Sequence, residues 1–205
     1  MNSTLSRAMR CVTVAVASVT VIAASATSVW ATTDYTPTGG PAVKLQGTNI
    51  AITNVPAAQT ITCSQFTVPG TVTSPGMSRP LGTTAVGLGT PSETCSHPLM
   101  GSISFDVSWN LAVLDASATS SWRVRLVDVS GTAAWANCEW TFEGQADGLF
   151  DTATQQWTPT TSALVITGVV GSMCVTIDFL PGDEIVISGS LTNVPPAGSV
   201  PLSFS

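Results

Sequence analysis

Histidine and lysine each occur once in the 205 residues, and these shortages narrow the chemistry before any motif is sought. A Ser-His-acid catalytic set would have to use His97, in Thr94-Cys95-Ser96-His97-Pro98-Leu99, and no G-x-S-x-G or comparable element accompanies it. His97 therefore reads as a loop residue beside a cystine and a proline. With one histidine and no C-x-x-C pair, the ligand set of a structural zinc site is missing. Six Lys and Arg against twelve Asp and Glu leave no basic cluster with which to hold a phosphate backbone, which argues against a nucleic-acid partner. Charged residues make up only 9% of the chain, so Ser and Thr must supply most of its polar surface, as suits an extracellular protein built of strands.

What is present begins with an export pattern. Arg7 and Arg10 precede Cys11–Ala24, an uncharged stretch interrupted only by Thr and Ser and too short to span a bilayer comfortably. Two small-residue cleavage sites follow, Ala24-Ser25-Ala26 and Val29-Trp30-Ala31, and cleavage after Ala31 is the preferred reading. Ala8-Met9-Arg10 puts a charge where a lipobox needs small apolar residues, so Cys11 is not a lipoprotein cysteine. The expected organisation is a signal peptide over residues 1–31 and one secreted domain over 32–205, with no membrane span after processing. That domain keeps Lys44, Arg79, Arg123 and Arg125 against all twelve carboxylates, a formal charge of −8.

Four cysteines remain, Cys63, Cys95, Cys138 and Cys174, an even number in an exported chain and so two expected disulfides. Three pairings are open. The segments Cys63-Ser64-Gln65-Phe66-Thr67-Val68-Pro69-Gly70 and Cys138-Glu139-Trp140-Thr141-Phe142-Glu143-Gly144 each run from cysteine through an aromatic and Thr to Gly, and each precedes a further cysteine, 32 and 36 residues after its own. Two self-closed halves, Cys63 with Cys95 and Cys138 with Cys174, are the simplest reading.

Period-two alternation dominates the rest. Ile103, Phe105, Val107, Trp109, Leu111 and Val113 alternate with mostly polar residues, which marks a half-buried strand. Trp122, Val124 and Leu126 alternate with Arg123 and Arg125, and Cys138, Trp140 and Phe142 with Glu139 and Glu143. A hairpin turning at Ser130-Gly131-Thr132 would set Trp122 opposite Trp140 and Val124 opposite Cys138 inside, and Arg123 opposite Glu139 outside. Further strands are expected near 47–53, 59–68, 84–88, 147–157, 162–169, 173–179, 184–192 and 199–204, with no helix after the leader. Ile52–Ile61 echoes Leu191–Val200, either as two similar strand exits or as symmetry-related edge strands. The expected class is all-β: an antiparallel sandwich or barrel-like Greek-key domain with two disulfides.

Three acid pairs could supply a glycosidase's two carboxyls: Glu139 with Glu143, Asp147 with Asp151, and Asp183 with Glu184. The first falls on the outer face. Asp147-Gly148 and Gly182-Asp183 read as turns. Asp147 and Asp151, the candidates for calcium, lack EF-hand spacing. Of the tryptophans beyond residue 31, Trp109, Trp122 and Trp140 fall on core faces, which leaves Trp135 and Trp157 freer to meet a sugar or lipid. No catalytic, cofactor or metal residue is assigned.

Several landmarks in order resemble a family of small exported actinobacterial proteins and, distantly, the exported activators of alkane oxidation. They are Thr62-Cys63, Cys95-Ser96-His97-Pro98-Leu99, Trp109-Asn110-Leu111, Cys138 with Phe142 and Gly144, Asp147-Gly148, and Gly171 with Cys174 ahead of Pro181-Gly182-Asp183. Met100 stands where the pattern has Gly. The resemblance implies a surface or emulsifying role and carries over no catalytic residue. The expected function is thus that of a non-enzymatic secreted or cell-wall-associated protein meeting a cell-surface or extracellular component. A carrier of a small apolar ligand is the alternative, and an extracellular hydrolase the third reading.

Overall fold

Alternation of apolar and polar side chains gives each strand here one face that must be covered, and closing the sheet on itself covers all of them at once. The structure, a computed structural model, describes residues 33–205; the leader, Cys11 and both cleavage sites lie outside them. In chain order the strands are β1 (Asp34–Tyr35), β2 (Pro37–Gly40), β3 (Ala42–Gly47), β4 (Ile50–Asn54), β5 (Gln59–Val72), β6 (Arg79–Pro80), β7 (Thr84–Leu88) and β8 (Ser92–His97). They continue with β9 (Gly101–Ala116), β10 (Ser121–Trp135), β11 (Cys138–Asp151), β12 (Gln156–Val170), β13 (Glu184–Ser188), β14 (Leu191–Asn193) and β15 (Val200–Phe204). No helix among the described residues is long and apolar enough to cross a membrane.

Pairing reduces this set to eight staves. β3 and β4 run in one register along β5, Ala42 opposite Thr71 and Asn54 opposite Gln59, and so form a single stave interrupted at Thr48-Asn49. β7 with β8, and β13 with β14, are interrupted staves of the same kind. Each stave is antiparallel to the next in the chain, and the ring closes where β13 pairs with β4 and β14 with β3. The all-β class, the antiparallel sheet and both disulfides are as expected, Cys63 bonded to Cys95 and Cys138 to Cys174. Of the arrangements foreseen it is the barrel that is found, and its strand order is an up-and-down meander without a Greek-key crossover.

The two ends of the barrel are plugged differently. At one end the segment after β12 folds over the opening with a 3₁₀ turn, Cys174–Ile177, and sets Phe179 edge-on to Trp140 at 5.0 Å. At the other, β2 pairs with β15, β1 with β6, and Phe204 meets the rings of Tyr35, Trp122 and Phe150.

The faces assigned to the long strands are right and their register is not. Trp122, Val124, Cys138, Trp140 and Phe142 are buried, whereas Glu139, Glu143 and Arg123 are exposed. Yet β10 runs straight through Ser130-Gly131-Thr132 and turns at Ala136-Asn137, so Trp122 faces Phe150, Arg123 faces Leu149, and Trp140 faces Ala133. Gly131 is a close-packing position: a Cβ there would come within 2.7 Å of the Asp106 carbonyl and 2.9 Å of the Phe142 ring. The true turn carries its positive φ on Ala136, at 46°, a residue with no turn signature. Trp122's partner lies ten residues beyond the expected one, while nearer the turn the displacement is eleven, and the irregularity between Leu126 and Val129 absorbs the odd residue so that the core faces on both sides of it are kept.

Other expectations are corrected likewise. Asp147-Gly148 lies inside β11, not in a turn, and Gly148 lacks a Cβ where the Trp157 indole crosses it. The strand expected over 147–157 is broken by the loop between β11 and β12, that over 184–192 divides into β13 and β14, and that over 173–179 is the 3₁₀ turn. The echoing segments Ile52–Ile61 and Leu191–Val200 are not edge strands, since β4 and β14 are each paired on both sides. As strand exits they share a buried asparagine that receives a backbone N–H, Asn54 from Ala57 and Asn193 from Lys44.

Candidate functional site

Of the six carboxylates singled out in the sequence, Glu139, Glu143 and Glu184 are exposed, and Asp147, Asp151 and Asp183 are each occupied separately. Asp147 faces Arg125 across β10 and β11 and accepts two guanidinium hydrogen bonds, one of them at 2.9 Å to Oδ2. Those bonds hold its carboxyl below the usual range. Asp151 accepts the N–H groups of Ala153 and Thr154, which secures the next turn. Asp183 is buried and accepts from Asn54 Nδ2 at 2.8 Å and from the Leu180 N–H at 2.9 Å, with Gly182 at a φ of 98° completing that turn. Arg123 bonds Asp115 on β9 rather than Glu139, at 2.9 Å. Among the described residues no three His, Cys, Asp or Glu side chains gather as metal ligands.

His97 ends β8 instead of lying in a loop, and it is buried. Its Nδ1 accepts the Leu99 N–H at 3.2 Å, a bond available only while that nitrogen is unprotonated. Burial lowers its pKa, so the neutral ring is favoured. The imidazole thus shapes the β8–β9 turn. Trp157 is only 2% exposed and cannot meet an external sugar or lipid, while Trp135 is half-buried against the core.

Inside the barrel, rings from staves two apart in the ring meet: Phe66 of β5 with Trp109 of β9 at 6.2 Å, and Phe105 of β9 with Phe142 of β11 at 6.5 Å. The space left among them is an apolar cavity of about 50 Å³ bounded by residues such as Trp109, Trp140, Trp157, Leu164 and Ile185. Sites for drug-sized ligands have volumes of roughly 300 to 1,000 Å³, so this interior is essentially filled.

A larger concavity lies outside, over the place where two neighbouring staves are interrupted. β3 stops at Gly47 and β14 begins at Leu191, so the interruptions of two neighbouring staves fall side by side. Gly47 is required there, because a Cβ would approach the Ser190 carbonyl to 2.7 Å. The resulting groove, about 560 Å³, has Phe66 in its lining, and its lining holds no charged side chain. Across it the register aligns Gln156 of β12, Thr192 of β14, Gln46 of β3 and Thr67 of β5, each directly opposite the next. Sequence reasoning missed this row because its members come from four strands that are not consecutive in the chain. Their one trace was outward placement in the alternation, as in Leu191-Thr192-Asn193. No protein-family model, curated protein or solved structure matches the chain.

Proposed function

We propose that this chain is a non-enzymatic exported protein that works at the cell envelope or outside it, through the outer surface of a rigid, filled barrel. The observation that carries this reading is the contrast between an interior with only about 50 Å³ free and an outer groove of about 560 Å³ in which the side chains of Gln65, Gln156 and Thr192 make no hydrogen bond among the described residues. Eight staves close a barrel just wide enough for side chains to fill or for one small ligand to enter, and here side chains fill it. The two cystines and the low charge support residence in an oxidising, extracellular setting. A hydrolase would need convergent acid and base groups, whereas Asp147, Asp151 and Asp183 each answer a different structural need. A carrier of an apolar ligand would need the walls to separate well beyond their present packing.

The test is sedimentation of the purified protein, residues 32–205, with isolated cell envelopes of the producing host, alongside antibody fractionation of that host. Saturable retention on envelopes, or accumulation in culture fluid with retention on a secreted matrix, is expected. Confinement to the cytoplasm, or turnover of substrate by a protein that binds neither material, would overturn the reading.

A further inference from the structure

We infer that the groove over the interrupted staves is a binding site for an uncharged carbohydrate chain, lying across β12, β14, β3 and β5; this inference rests on the surface-acting reading above. Sugar hydroxyls both donate and accept hydrogen bonds. The groove answers with amides and hydroxyls, which also do both. Gln156, Thr192, Gln46 and Thr67 stand in a transverse row on adjoining strands. At about 4.8 Å between strands the row spans roughly 14 Å, the reach of a short oligosaccharide.

The state of these side chains points the same way. Within the row the only side-chain hydrogen bond among the described residues is a long one, Gln46 Nε2 to Thr67 Oγ1 at 3.4 Å. Gln65, beside it in the same groove, makes none among the described residues, and neither do Gln156 and Thr192. The neighbouring Gln155 differs sharply. Its Nε2 donates to the Thr152 and Leu202 carbonyls and its Oε1 accepts from Asn193 Nδ2 and the Leu202 N–H, so both ends of its amide are committed to the fold. Two glutamines adjacent in sequence therefore divide the work: Gln155 faces inward and holds the chain, and Gln156 is exposed and unengaged.

The absences in the lining define the ligand class. With no Lys or Arg in its lining the groove seats no counter-charge for a uronate, sulfate or phosphate, Lys44 lying two residues along β3 outside that lining, and with no Asp or Glu it seats none for an amino sugar or a cation. Phe66 contributes the edge of an apolar floor, suited to the C–H face of a pyranose, though at 6% exposure it adds little stacking area. The three glutamines and the hydroxyls must therefore supply most of the recognition.

The test is titration calorimetry of the folded 32–205 protein with neutral hexasaccharides (cellohexaose, maltohexaose, and linear mannose and galactose hexamers), with polygalacturonate and an uncharged peptide as comparators. Binding of at least one neutral hexasaccharide is expected, and Gln46→Ala with Gln156→Ala should weaken it roughly tenfold, the loss of about 1.4 kcal/mol. Gln145→Ala, on β11, serves as the control and should leave affinity unchanged, and far-ultraviolet circular dichroism checks that all variants fold. Failure of every neutral sugar to bind, binding insensitive to the double substitution, or a preference for polygalacturonate or the peptide would each overturn the inference. Envelope sedimentation of the same double variant separates the two claims. If the wild type binds no sugar yet both proteins still sediment with envelopes, the groove is wrong and the surface reading stands.

Discussion

The two plugs of this barrel close it by different means. At the cystine end, the long segment between β12 and β13 carries a single 3₁₀ turn, and the Cys138–Cys174 bond ties it to the start of β11. At the opposite end no cysteine is present among the described residues; β2 and β15, near the two limits of the described chain, pair with each other and bring Phe204 among Tyr35, Trp122 and Phe150. The Tyr35 hydroxyl donates to the Thr83 carbonyl at 2.8 Å, and Gln155 ties the following turn to Leu202. Where ladder hydrogen bonds and aromatic area are sufficient, the chain uses them. Where a segment has little regular structure with which to offset its ordering entropy, a covalent constraint stands in.

The largest effect should therefore come from emptying the aromatic plug. Phe204 is 5% exposed and touches three rings, so Phe204→Ala should destabilise the protein by about 3 to 5 kcal/mol in denaturant unfolding with both bridges oxidised. A change below about 1 kcal/mol would mean that β15 is dispensable and that the barrel closes without this plug.

Removing the other plug's tether should cost slightly less and act more locally. Closing a loop of 36 residues is worth about 3 to 4 kcal/mol in the chain-entropy model. Cys138→Ala with Cys174→Ala should show a loss of that order. Hydrogen exchange should accelerate first over residues 171–183, while β15 and β2 keep their protection. Uniform acceleration at both ends would contradict the independence of the two plugs.

Much of this architecture was legible from period two alone, because alternation reports which side of a strand faces the core whatever its partner. Register was not, since the visible glycine, Gly131, serves strand packing and the actual turn hides in Ala136-Asn137. The same misdirection affected Asp147-Gly148: an Asp-Gly pair is turn chemistry in isolation, but Arg125 and Trp157 give each residue a purpose inside a strand. Cysteine spacing with the paired aromatic segments sufficed for both disulfides. Of the polar residues that hold the fold, Asn54 and Asn193 showed only as the shared asparagine of the echoing segments and Gln155 not at all, because the partners Asp183, Gln155 and Leu202 lie far along the chain from the residues they hold. The groove was hidden for the same reason: Gln46, Thr67, Gln156 and Thr192 become neighbours only when the ring closes.

The smallest effects should come from the charged flank that lies between the plugs. Arg125 and Asp147 have about a quarter to a third of their side chains exposed, at 30% and 24%, and share two charge-assisted bonds. Arg125→Ala should cost about 1 to 2 kcal/mol. Arg123 and Asp115 are at 53% and 42%, and water screens their single bond, so Arg123→Ala should cost at most about 1 kcal/mol. Acid should discriminate further, because both His97 and Asp147 have folded-state pKa values below their ordinary ones. A group lowered in this way stabilises the fold above its unfolded pKa, and that contribution disappears as pH falls through the folded value. Loss at His97, on the cystine end, should thus begin below about pH 6.5, and loss at Asp147 only below about pH 4. Unfolding free energies measured down that pH range, for the wild type, His97→Ala and Asp147→Asn, test the order. If Asp147→Asn removed the higher transition, or His97→Ala the lower, the two groups would have been assigned to the wrong parts of the barrel.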